Sequence, residues 1–151
     1  MIKWIHVINW KKVFTIAFFY TIVTMIVRQV EAFLTMKYYL LPQYFGVWSK
    51  LMMPNAGPPP VEFFITSLVF TFASGISLAV IYYYLKEYLP KGFWKRVFFF
   101  ADVLVATSFI FFTLPVYMMF NVPVGLLLSW FISGFILNLF ASFIIVKGIG
   151  A

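Results

Sequence analysis

Residues 97–146 read VFFFADVLVATSFIFFTLPVYMMFNVPVGLLLSWFISGFILNLFASFIIV, and they hold two long apolar runs joined by a short connection. The first run, Val97–Phe120, has one charged residue, Asp102, and the second, Val122–Val146, has none. Each run exceeds the roughly 20 apolar residues that an α-helix needs to cross a bilayer core. In the connection Asn121-Val122-Pro123, Asn favours a helix N-cap and Pro is tolerated in a first turn. The stretch therefore predicts an antiparallel transmembrane hairpin.

The predicted hairpin sets Asp102 at about the depth of Asn138 and Ser142, because facing residues of an antiparallel pair have numbers that sum to a constant. A carboxylate within hydrocarbon costs roughly 2.5 kcal/mol or more unless it pairs, neutralises or reaches water. Asp102 with Asn138, Ser133 and Ser142 around it is thus a candidate ion or proton pathway. The alternatives are an aspartate that reaches toward Arg96, a polar contact between two helices, or an interface with a partner.

Composition extends this interpretation to the whole chain. Of the 151 residues, 64% are hydrophobic and 10% charged, and the mean hydropathy is +1.02, far from a soluble domain. We predict an all-α integral membrane protein, a four-transmembrane-helix bundle that forms a single membrane domain over 1–151. The expected spans are about 12–41, 61–86, 96–120 and 122–147. Pro115, near the end of the third span, predicts a kink because its ring removes the backbone bond to Phe111.

Two non-spanning segments are expected at the membrane surface. Met1–Trp10 places apolar and aromatic residues around Lys3 and His6, which suits the headgroup zone. The loop Pro42–Pro60 combines turn residues with an apolar first part, and it predicts a short amphipathic segment on the bilayer surface.

The missing residue types exclude several classes of site. The chain has no cysteine and one histidine, so thiol chemistry and an imidazole-based metal site from one chain are excluded, and we expect no metal and no cofactor. No nucleophile–base pair or glycine-rich phosphate loop is evident, so we expect no enzyme activity; a lipid-modifying enzyme is the weaker alternative. The net charge of +7 is not interpreted as nucleic-acid binding, because the basic residues lie at span ends.

Arg28 and Glu31 interrupt the first span three residues apart, so they share a helix face. One interpretation is an ion pair near the membrane boundary. The other is an anionic-ligand or proton-coupled site that acts as an outer gate.

Small residues at four-residue intervals predict close helix packing in spans two and four. In span two the set is Ser67, Thr71, Gly75 and Ala79. In span four one ladder is Gly125, Ser129 and Ser133, and an adjacent one is Gly134, Asn138 and Ser142.

Charge predicts the orientation. With four spans, one side would hold eight basic residues, namely Lys3, Lys11, Lys12, Lys86, Lys91, Lys95, Arg96 and Lys147. The other side would hold Lys50 and Lys37. We expect the protein to lie in the cell membrane. By the positive-inside rule, we expect both termini on the cytoplasmic side.

Two functions are compatible with these patterns. The first is a non-catalytic membrane protein that acts by helix packing, as a homo-oligomer or with a partner membrane subunit or membrane lipids. The alternative is a small transporter or proton-coupled carrier with Asp102 as its intramembrane acid.

Overall fold

The computed structural model describes residues 8–55 and 57–150, and within them it is all-helical, without a strand. Four helices are long and apolar enough to cross a membrane: α1 (Trp10–Tyr39), α2 (Val61–Leu85), α3 (Phe93–Met119) and α4 (Val124–Ile149). The expectation of four apolar helices is therefore confirmed. The predicted surface segment Met1–Trp10 falls largely outside the described residues.

The observed helix ends follow from local capping. α1 begins two residues before the predicted position because Asn9 caps it, and the Lys12 N–H donates to Asn9 Oδ1 at 3.2 Å. α4 begins at Val124, and the expected cap at Asn121 is wrong. Pro123 is the N-cap residue, with no side-chain cap bond. The residue before a proline disfavours helical dihedrals, which accounts for the non-helical Val122. Pro123 itself has a non-helical ψ of 128°, so the helix starts after it.

A π-helical turn, Phe109–Thr113, interrupts α3 just before Pro115, the residue at which the sequence predicts a kink. The Leu114 N–H donates to the Phe109 carbonyl, five residues back. Pro115 has no N–H to donate to Phe111, so the wider turn rearranges the hydrogen bonds just before the proline.

The first loop carries a short 3₁₀ helix, Pro42–Val47. The ring of Trp48, which follows it, lies 5.0 Å from Tyr39 and 6.3 Å from Trp130, centroid to centroid. The loop therefore folds back onto the ends of α1 and α4.

α1 and α4 are central: α1 packs against α2 and α4, and α4 also packs against α3. Among the described residues, no Cα atom of α2 comes within 8 Å of one in α3. We call the end of the helices near residues 10, 85–93 and 149 the terminal end, and the opposite end the loop end. At the terminal end the rings of Tyr82 and Phe100, from α2 and α3, meet at 5.3 Å.

The apolar core lies at this terminal end. Its buried residues come from all four helices and the segments beside them: Ile8, Val13, Ile16, Ala79, Tyr82, Leu89, Val97, Phe100, Ala141, Ile145 and Val146. Toward the loop end, α2 and α3 expose large apolar side chains, for example Phe70 at 69% and Met118 at 80%. Such a surface suits contact with lipid or with other membrane helices.

Small residues do mark close approaches within the chain. A Cβ built on Gly75 would lie 2.9 Å from the Cα of Ala17, so α1 and α2 touch through backbone there. Ala79, one turn on, is fully buried, whereas Ser67 and Thr71 are half-buried. A Cβ on Gly125 would meet the Tyr38 hydroxyl oxygen at 2.5 Å, which brings α4 close to α1.

Candidate functional site

A line of polar side chains crosses the contact between α1 and α4 in the half of the helices nearer the loop end. α1 contributes residues spaced by three or four, which places them on one face. We call the following set the polar strip: Arg28, Glu31, Thr35 and Tyr39 from α1, with Ser129, Trp130 and Ser133 from α4.

Glu31 is the buried carboxylate of this chain. Its side chain is 7% exposed, whereas Glu62, Glu87 and Asp102 are exposed. Glu31 Oε1 accepts a hydrogen bond from Ser129 Oγ at 3.1 Å. It also lies 2.9 Å from Thr35 Oγ1, whose single hydrogen it shares with the Glu31 main-chain carbonyl at 2.7 Å. A buried carboxylate retains its solvation only through such donors, so these two hydroxyls give Glu31 a built polar environment.

Arg28 reaches across the same contact. Its Nη1 donates to Ser133 Oγ at 3.1 Å, and Ser133 Oγ in turn donates to the Trp130 carbonyl at 3.1 Å. The ion pair expected between Arg28 and Glu31 is not formed, because α4 offers each of them a hydroxyl one turn apart. Within the described part of the chain, both charged groups are bonded to neutral partners.

Arg28 and Ser133 lie near the middle of their helices rather than at one end. Each is about 5 Å from the midpoint of its helix, on the loop-end side, at 1.5 Å per residue. The sequence placed Arg28 close to the far boundary of the membrane. An arginine at mid-helix depth is costly in lipid, and residues of this kind commonly mark ligand or ion pathways.

A small cavity of 40 Å³ adjoins Arg28 on the α3 side. Its polar lining comes from Arg28, from Ser108 and Thr113 of α3, and from Asn138 of α4. Gly134 also lines it, and a Cβ there would have no neighbour within 4 Å. The volume is about that of one water molecule in the liquid, so a water molecule that hydrates the guanidinium group fits in the cavity.

The structure does not form the predicted contact of Asp102 with Asn138 and Ser142. Asp102 is exposed on α3, and it does not line the cavity that Asn138 shares with Arg28. Ser142 is fully buried and its hydroxyl has no hydrogen-bond partner. The reason is rotation: α3 turns Val97, Phe100 and Ala101 inward, and the next residue points about 100° away.

Several residues of the site were missed by sequence reasoning. Trp130 Nε1 donates to the Tyr39 hydroxyl at 2.8 Å, which closes the polar strip at the loop end. The helical spacing in the sequence could have identified Thr35 and Tyr39, since they follow Glu31 at four-residue steps. No signal in the sequence pointed to Trp48, which comes from the loop.

Across residues 8–55 and 57–150, no three His, Cys, Asp or Glu side chains gather as a group able to hold a metal ion. The chain matches no family model, and no curated protein or solved structure matches it. Its function is therefore argued from its own residues.

Proposed function

We propose that this protein is a non-catalytic, multi-pass membrane protein that works by helix association, primarily with a second copy of itself. The observation that carries the proposal is the exposure of Asp102 in the middle part of α3. Its exposed neighbours Phe98, Phe99 and Val103 are apolar, so the carboxyl group faces a region suited to lipid. Intramembrane acids almost always face protein or water, which implies a partner outside this chain.

The surface around Asp102 suits a close helix partner. Ala106, one turn further, is also exposed, and small residues beside a polar one favour helix contacts within membranes. α3 has a single helical neighbour, α4, among the described elements. A second α3 packed on this face would remove both carboxyl groups from lipid and let them bond to one another or to Thr107.

We place the protein in the cell membrane with both termini in the cytoplasm. This part of the proposal is supported by the eight basic residues on that side of the predicted topology and by the apolar length of the four helices.

The association is tested by replacing Asp102 with leucine. We expect the Asp102→Leu variant to associate roughly 3- to 30-fold more weakly, which corresponds to about 0.6–2 kcal/mol for a hydrogen bond within a membrane. Energy transfer between labelled copies in phosphatidylcholine vesicles measures it.

Val103→Leu is the matched control, because it changes an exposed neighbour without altering charge, and we expect no effect. An unchanged association of Asp102→Leu would contradict the role of the aspartate. A monodisperse wild-type monomer in mild detergent, with no copurifying membrane protein, would contradict the proposed function as a whole.

A second candidate, a small proton-coupled carrier, is favoured by the polar strip. It combines a buried carboxylate, Glu31, with an arginine at mid-helix depth and a cavity of 40 Å³ beside it. Buried acids of this kind occur in proton relays. In this candidate Glu31, rather than Asp102, is the intramembrane acid.

Proton flux into vesicles distinguishes the two acids. If the protein carries protons through the polar strip, Glu31→Gln is expected to reduce dye-reported flux to the level of empty vesicles, because an amide does not release a proton at neutral pH. Asp102→Asn is the matched control and is expected to keep the wild-type rate. Wild-type flux equal to that of empty vesicles would remove this candidate.

A further inference from the structure

A larger cavity, broadly open to the surface, lies at the terminal end of the helices, away from the polar strip. It has a volume of 250 Å³ and is lined by Lys86, Glu87, Arg96, Ile149 and Gly150. These residues come from the turn after α2, the first turns of α3 and the end of α4. The volume is several times the about 30 Å³ that a water molecule occupies in the liquid, so a polar group of several heavy atoms fits.

Hydrogen bonds fix two walls of this cavity. Arg96 Nε donates to the Pro90 carbonyl at 3.0 Å, and this bond orients the guanidinium group. A guanidinium has five N–H donors, so four remain for a ligand. At a second lining residue, Gly150, the carbonyl accepts a hydrogen bond from the hydroxyl of the fully buried Tyr82 at 3.1 Å, which holds the end of α4 in place.

The charge around the cavity is strongly positive. Lys86 and Arg96 line it. Lys91, Lys95 and Lys147 are exposed nearby in the same turn and helix ends, and the acid of this region is Glu87. The Lys86 Nζ lies 5.2 Å from the centre of the Tyr83 ring, so the ammonium group stays close to the helix surface. The lining side chains Lys86, Arg96 and Glu87 together carry a net positive charge, and the exposed lysines add to it, so a ligand of negative charge is favoured.

The position of the cavity indicates which kind of anionic group would bind there. It lies where apolar helices end, beside aromatic residues such as Trp94 and Tyr84 that are typical of the headgroup level. Ile149 gives it an apolar wall. An arginine fork matches phosphate geometry with two parallel hydrogen bonds, and a phosphodiester group is anionic at this level of a bilayer.

We propose that this cavity binds the phosphodiester headgroup of an anionic phospholipid, with Arg96 and Lys86 on the phosphate oxygens and the acyl chains along the apolar helix surface. Free inorganic phosphate would satisfy the same polar groups. The proposal does not depend on association at Asp102, so either can fail alone.

The test is native mass spectrometry of the full chain, delipidated in detergent and titrated with phosphatidylglycerol or phosphatidylcholine. We expect tighter binding of phosphatidylglycerol. Lys86→Gln and Arg96→Gln are each expected to weaken it by at least about tenfold, as a charged hydrogen bond is lost. Lys91→Gln removes the same charge outside the cavity and is expected to weaken it by at most about fivefold.

Arg96→Lys keeps the charge but loses the fork, and we expect a weakening between those of Arg96→Gln and Lys91→Gln. Lys86→Gln decides the result if the arginine variants fail to fold by circular dichroism. Equal binding of the two lipids, or equal losses for Lys91→Gln and Lys86→Gln, would overturn the site. Displacement of phosphatidylglycerol by inorganic phosphate at similar concentration would overturn the lipid assignment.

Discussion

Replacing Tyr82 with alanine is expected to lower the free energy of unfolding by about 3 kcal/mol, because it opens a large hole in the core. Tyr82 is fully buried between α2 and α3, and its ring lies 5.3 Å from that of Phe100. In a membrane protein this loss of stability comes from lost side-chain packing rather than from transfer out of water, since lipid is as apolar as the core. Equilibrium unfolding in mixed micelles, followed by circular dichroism, measures it.

Two further variants separate the contribution of the Tyr82 ring from that of its hydroxyl group and provide a control at an exposed tyrosine. Tyr82→Phe keeps the ring but loses the hydrogen bond to the Gly150 carbonyl, and we expect a loss of about 1 kcal/mol. Tyr84→Ala, at an exposed position two residues on, is expected to change stability by less than about 0.5 kcal/mol. If Tyr82→Ala were as stable as Tyr84→Ala, the core at the terminal end would be placed incorrectly.

Replacing Gly75 with leucine is the second large change, and we expect it to destabilise the protein by about 1–3 kcal/mol through overpacking. A Cβ at this position meets the Cα of Ala17 at 2.9 Å, and backbone yields less readily than a flexible side chain. α1 and α2 must therefore separate. The same micelle unfolding measures the loss.

Gly134→Ala is the matched control for this prediction. It also lies within a membrane-spanning helix, but a Cβ there has no neighbour within 4 Å. We expect stability to stay unchanged or to rise by up to about 1 kcal/mol, the difference in helix propensity. Equal effects of the two substitutions would show that α1 and α2 do not approach closely at Gly75.

Both large effects bear on the proposed sites. Tyr82 fixes the Gly150 carbonyl on one wall of the terminal-end cavity, so Tyr82→Phe links core packing to headgroup binding. Gly75 holds α2 on α1 at Ala17, in the half of α1 nearer the terminal end, whereas the polar strip lies in the half nearer the loop end. Loss of that contact is expected to leave the bonds from α1 to Ser129 and Ser133 in place.

The polar strip illustrates how far the sequence leads toward a site. Arg28, Glu31 and Ser133 were candidates from the start, as intramembrane polar residues are few. Their partners were not predictable, because depth along a helix follows from residue number but the facing direction does not. The sequence predicted a contact of Asp102 with Asn138 and Ser142, whereas in the structure the Asp102 side chain is exposed.

The four apolar helices follow from the amino-acid sequence alone, because their length and apolar content are read directly along the chain. The sequence also predicted the missing backbone bond from Pro115 to Phe111, because proline has no N–H, but it did not predict the π-helical turn over Phe109–Thr113. Which side chains face inward depends instead on how the helices pack against one another. A helix that is apolar all round carries no polar stripe to orient it, so contacts such as that between Gly75 and Ala17 set its rotation. In the packed structure Glu31 is buried and Asp102 is exposed.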